Sequence, residues 1–165
     1  MIADLTQILK QMLEFQKLNN SKSHCITNVQ FLYDVIKPTY SNVKAVPVIA
    51  ISENEDLNTL QIIHGHLILI ITDGNKSILI EPSYEIKRLP NLHYFYNIKD
   101  YIKSISDLSE DVIKLNIKSF LKFKQNADKI NNNIFCIDDK LYYDNQANYI
   151  EKKLNIQITN INKLK

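Results

Sequence analysis

Two Ile-rich runs joined by Asp-Gly-Asn, in the stretch QIIHGHLILIITDGNKSILIEPSYE at residues 61–85, restrict what this chain can fold into more than any other segment. Gly74 and Asn75 tolerate the positive φ angles of a tight turn, so the runs are expected to fold back on one another as a buried β-hairpin. The hairpin carries polar groups into apolar surroundings. His64 and His66 lie on its first strand, and Glu81, followed by Pro82, ends its second. Buried polar groups of this kind require hydrogen-bonding partners.

Those partners must come from a chain of 165 residues, 45% of them hydrophobic, which is enough for one real core and short for two. A single domain spanning 1–165 is expected. The net charge is +2, from 20 basic and 18 acidic residues, and Arg88 is the only arginine. Such a chain has neither the field nor the guanidinium forks that hold nucleic acid, and no attraction for an anionic membrane. Cys25 and Cys136 are too few for a disulfide framework, which fits a reducing compartment. The opening MIADLTQILKQMLEF is broken by Asp4, Lys10 and Glu14, unlike a signal peptide or a membrane span. A soluble cytoplasmic protein with no nucleic-acid or membrane partner is the expectation.

Hydrophobic periodicity predicts an amphipathic helix over 3–18, then a break rich in Asn and Ser. A second helix over 24–36, capped by Ser23 and apolar on most sides, should be central and end before Pro38. The run AVPVIAIS at 45–52 reads as a strand with Pro47 at an edge or bulge. After the hairpin come a link of uncertain form at 85–92, helices over 97–105 and 109–129, a small second hairpin turning at Asp138-Asp139, and a helix over 146–154. In the longer helix, Val112, Ile113, Ile117, Phe120 and Leu121 should form the buried face. The order describes an α+β domain, its antiparallel sheet packed against helices.

A cysteine in the first turn of a helix has its thiolate favoured by the helix dipole and by unpaired N–H groups, so Cys25 is a candidate nucleophile. It needs a base and an acceptor to orient that base. With the turn at Gly74, His66 lies eight residues before it and Glu81 seven after, nearly opposite one another, which would complete a Cys-His-Glu triad. His64, two residues away and on the same face if alternation holds, is the other candidate base. His64 and His66 with His24 or Cys25 would also suit Zn²⁺, although no second paired-ligand motif accompanies them. Cys136 has no such neighbours and belongs to the core. An oxyanion hole would use the Cys25 N–H and a side-chain donor, with Gln16, Asn19 and Asn20 as candidates.

In this order and spacing, SHCITNVQFLYDVI, HLILIITDG and ILIEPSYEI resemble the transglutaminase-like branch of the papain-like cysteine peptidases. That family has a helix-borne Cys, a His opening a core strand, and an Asp followed by Pro ending the next strand. The resemblance implies a papain-like core over about 21–90, with a helical and hairpin extension over about 97–157. It further implies a thiol-dependent hydrolase or acyltransferase acting on an amide or ester carbonyl of a protein or peptide-like substrate. Cys25, His66 and Glu81 would be catalytic and no cofactor would be required. Glu81 stands where the family has Asp, and Leu67 and Ile68 follow His66 where an aromatic residue is often found. Those departures keep a second expectation open, that the fold serves as a catalytically inactive binding or structural module.

Overall fold

The computed structural model describes residues 2–54, 59–89, 91–105 and 108–158, without the side chains of 2–4, 53–54 and 59–64. Its elements are α1 (Ile2–Leu18), α2 (Cys25–Ile36), β1 (Val43–Asn54), β2 (Thr59–Asp73), β3 (Lys76–Ile80), α3 (Tyr84–Lys87), β4 (Leu92–Phe95), α4 (Ile98–Ser104), α5 (Glu110–Asn131) and α6 (Lys140–Leu154). The strands make one curled antiparallel sheet in the order β3-β2-β1-β4, and the class is α+β. Among the described residues no helix is long and apolar enough to cross a membrane.

The hairpin forms where its turn residues place it. Asp73 pairs with Lys76, so Gly74 and Asn75 are the two loop residues. Gly74 alone takes a positive φ, of 60°, and positive φ at the first loop position is the mark of a type II′ turn, which suits the twist of the flanking strands. Asn75 has no need of it.

β1 is longer than its apolar core and lies inside the sheet, which is an unusual place for Pro47. The strand tolerates it because β4 pairs with β1 only from Ile49 to Ser52. At Pro47, therefore, one side of β1 has no strand among the described residues to which an N–H is owed.

Alternation along these strands separates two faces. Ala45, Leu67, Leu69 and Ile71 join a core with Val29, Leu32 and Ile36 of α2, while Ile49 and Ile51 pack with Tyr101 and Phe120. On the other face lie Val48, paired with His66, and Ala50, paired with Tyr94.

Three elements depart from the sequence expectation. α2 begins at Cys25 itself, its N-cap is His24 without a side-chain cap, and Ser23 takes a φ of 62° one residue earlier. The segment at 134–138 forms no hairpin. Instead Asp139 accepts from the Tyr142 N–H at 3.0 Å and caps α6, which starts six residues before the expected Gln146. On α5 the buried side chains are Asn116, Phe120, Ala127 and Ile130. Leu121, expected inside, is 46% exposed.

Candidate active site

Cys25, His66 and Glu81 come together. Cys25 is the first residue of α2, where no earlier turn can use its N–H. His66 follows Gly65 on β2 opposite Val48. Glu81 is the first residue after β3. Extending the β2–β3 register by one step sets Ile68 opposite Glu81, so His66 is its diagonal neighbour on the same face. A diagonal gap of roughly 7 Å suits a long side chain. The extra methylene that distinguishes Glu from Asp gives that reach, and Glu81 Oε2 lies 2.7 Å from His66 Nε2.

With Nε2 committed to the carboxylate, Nδ1 is the ring nitrogen left for the thiol, and Cys25 lies near enough to the imidazole to favour its protonated form. The meeting occurs at an opening in the sheet. β3 reaches only as far as Leu69 on β2, so from Ile68 back toward the start of β2 this side of the strand has no strand beside it among the described residues. Cys25, at the start of α2, and Ser119 of α5 line the cleft at that end of β2 together with Gly65 and His66.

The electrostatics follow from burial. His66 is 2% exposed and Glu81 6%. Burial alone would lower the imidazole pKa, but the Glu81 charge, the hydrogen bonds with Cys25 and Glu81, and the charge at Cys25 outweigh it and raise it from 6.5 to about 10. The imidazole therefore keeps its proton through the neutral range. Glu81 is itself tightly held, because Oε1 accepts from the Ser83 N–H at 3.0 Å and Oε2 also accepts from the Tyr94 hydroxyl at 2.7 Å. Burial first, and then the Glu81 charge, push the Tyr94 phenol pKa up, so the hydroxyl keeps its proton and stays a donor.

A cleft of about 570 Å³ opens beside the thiol, lined among others by Cys25, Ile26, Gly65, His66, Ser119 and Phe123. α5 closes against β2 there because Gly65 has no side chain. A Cβ at Gly65 would lie 2.6 Å from the Ser119 backbone carbon and 2.6 Å from Phe123 Cδ2. The Gly65 N–H, at the open edge, donates to Ser119 Oγ at 2.8 Å. Gly65→Ala is expected to lower stability by about 2 kcal/mol, the usual cost of overpacking a close contact. Thermal unfolding measures it, and an unchanged midpoint would show that α5 moves aside freely.

The remaining candidates lie elsewhere. His24 is stacked on the Tyr142 ring, centroids 4.1 Å apart and planes at 7°, and lines a different depression from that of Cys25. His64 is the unpaired residue of a register irregularity opposite Ile49 and Ala50, which interrupts the alternation linking it to His66, and its side chain is outside the described residues. No group of three or more His, Cys, Asp or Glu suited to a metal occurs among the described residues. Gln16 gives its Nε2 proton to the Pro82 carbonyl at 2.7 Å, and Asn19 gives its Nδ2 proton to the Phe15 carbonyl at 2.8 Å. Neither they nor Asn20 line the cleft. Cys136 is half-buried against the core, its Sγ 3.6 Å from Gln30 Oε1, and burial pushes its thiol pKa up.

Sequence reasoning missed Tyr94 and Ser83. The only signal for Tyr94 was an aromatic in the short run LHYF, too brief to announce a strand. Comparison with family models, with curated proteins and with solved structures finds no match for this chain.

Proposed function

We propose that this chain is a papain-like, transglutaminase-like thiol hydrolase or acyltransferase acting on an amide or ester carbonyl, with Cys25 as nucleophile, His66 as proton carrier and Glu81 as the group that orients the imidazole. The observation that carries it is the buried Glu81 carboxylate 2.7 Å from His66 Nε2, with Cys25 and the same ring lining one cleft.

Chemically, the Cys25 sulfur adds to the carbonyl carbon, and the C=O electron pair moves onto oxygen. The Cys25 N–H, at the start of α2, is suitably placed to donate to that oxyanion. When the oxyanion collapses, the carbon–nitrogen or carbon–oxygen bond breaks and the leaving group takes a proton from imidazolium Nδ1. A thioester remains on Cys25. Neutral His66 then removes a proton from water as it attacks the thioester, and the acid and the Cys25 thiolate are released. An amine in place of water gives transfer instead. Glu81 stays bound to Nε2 throughout and fixes which nitrogen faces the sulfur.

A fluorescent iodoacetamide reporter tests the nucleophile. Labelling of the wild type at neutral pH is expected to exceed that of Cys25→Ala by at least about tenfold, because the variant retains only Cys136, whose thiolate burial disfavours. Equal rates would leave the fold as an inert binding or structural module. The Glu-for-Asp exchange and the residues after His66 are what favour that second reading.

A further inference from the structure

The carboxylate facing His66 sits in the turn after β3, where no ladder holds the chain, and one buried amide grips that turn on both sides. Gln16, on α1 and 2% exposed, donates from Nε2 to the Pro82 carbonyl at 2.7 Å and accepts at Oε1 from the Tyr84 N–H at 2.8 Å. Between these anchors is Ser83, whose own N–H binds Glu81 Oε1. Gln16 Oε1 also receives Asn28 Nδ2 at 3.3 Å, and the same nitrogen lies 3.2 Å from Ser83 Oγ.

Asn28 belongs to α2, three residues past Cys25, and its Oδ1 accepts from the Tyr142 hydroxyl at 3.0 Å. The polar contacts therefore close a circuit. It runs from the helix that bears the thiol through Asn28 and Gln16 to the turn, then through Glu81 and His66 back to Cys25. An amide suits position 16 because one atom donates while the other accepts. Leucine does neither, and a carboxylate would set oxygen against the Pro82 carbonyl.

We propose that Gln16 is a positioning residue, fixing the turn that carries Glu81 to the Cys25 helix so that the carboxylate stays on His66 Nε2. The proposal takes its purpose from the thiol-hydrolase reading, but its measurement does not need catalysis. The ionisable groups facing His66 are Glu81 from the turn and Cys25 from α2, while Lys22 before α2, Glu85 and Arg88 beyond the turn, Lys122 on α5 and Asp138 before α6 line the same cleft. None of the position-16 or position-83 variants removes any of them.

The test is the His66 imidazole titration, followed by NMR in the full chain for wild type, Gln16→Leu, Ser83→Ala and Glu81→Gln. Gln16→Leu is expected to lower the midpoint by about one unit or more, a tenfold loss of proton affinity. Ser83→Ala should shift it less and in the same direction. A folded Gln16→Leu protein with the wild-type midpoint, beside a lowered midpoint in Glu81→Gln, overturns the proposal. An unchanged midpoint in Glu81→Gln also overturns it, because the carboxylate would then not govern the ring. If Gln16→Leu does not fold, Ser83→Ala decides, and no shift there is fatal. Failure of the thiol chemistry is seen separately, as equal labelling of wild type and Cys25→Ala.

Discussion

Under the proposed thiol chemistry, glutamine in place of Glu81 is expected to reduce turnover by roughly 10²–10⁴, the range set by losing the group that holds a catalytic imidazole in its tautomer. Three donors converge on this carboxylate: His66 Nε2 and the Tyr94 hydroxyl on Oε2, and the Ser83 N–H on Oε1. An amide offers one oxygen. Whichever way it is turned, its NH₂ meets at least one N–H or O–H donor at hydrogen-bonding distance, and a buried donor is left unpaired. The variant should also lose about 3 kcal/mol of stability, as expected when one partner of a buried charged pair is removed. Urea unfolding and steady-state turnover on the same preparations measure both quantities. Wild-type turnover in Glu81→Gln would exclude an orienting role for the carboxylate.

The second large effect is on pH dependence. His66 holds its proton up to about 10 in the folded chain, against 6.5 ordinarily. Below about pH 6.5 the folded and unfolded chains are both protonated at this ring, and its contribution to stability is fully present. Between the two values only the folded chain keeps the proton, so this contribution falls as pH rises, by about 1.4 kcal/mol per unit, and is gone above the folded value. Subtracting the curve of His66→Gln from that of wild type removes the titrations the two proteins share. The difference should slope downward from neutral to alkaline pH. A flat difference would mean that the imidazole is neutral in the folded chain and that the pair is not ionic.

Local chemistry made the central hairpin legible, together with helices whose caps lie within a few residues. Asn97 Oδ1 accepts from the Asp100 N–H at 2.8 Å and Ser109 Oγ from the Val112 N–H at 3.4 Å, as side chains of their type do at helix starts. β4 was hidden because four residues gain strand geometry only by pairing with the distant Ile49–Ser52 segment. Asp138-Asp139 misled because aspartate favours turns and helix N-caps alike. Leu121 misled because periodicity marks an apolar stripe without saying how much of it a neighbour covers.

At the site the same division holds. Cys25, His66 and Glu81 could be picked out because each sits at the end or near the turn of a readable element. Gln16 was noticed only as an oxyanion candidate, whereas its contacts are with Pro82 and Tyr84, 66 and 68 residues away. No spacing rule connects such positions. One glutamine among the three of an amphipathic helix carries no mark of the turn it will bind.

Tyr142 stacks on His24 and binds Asn28, so the end of α2 that bears the thiol is braced by a ring made roughly 120 residues later in the chain. At ribosomal speeds of about 5–20 residues per second, Cys25 is polymerised several seconds or more before its brace exists. Assembly of this corner therefore waits until α6 has been made, and a nascent copy carries its sulfur before the ring that braces its helix exists.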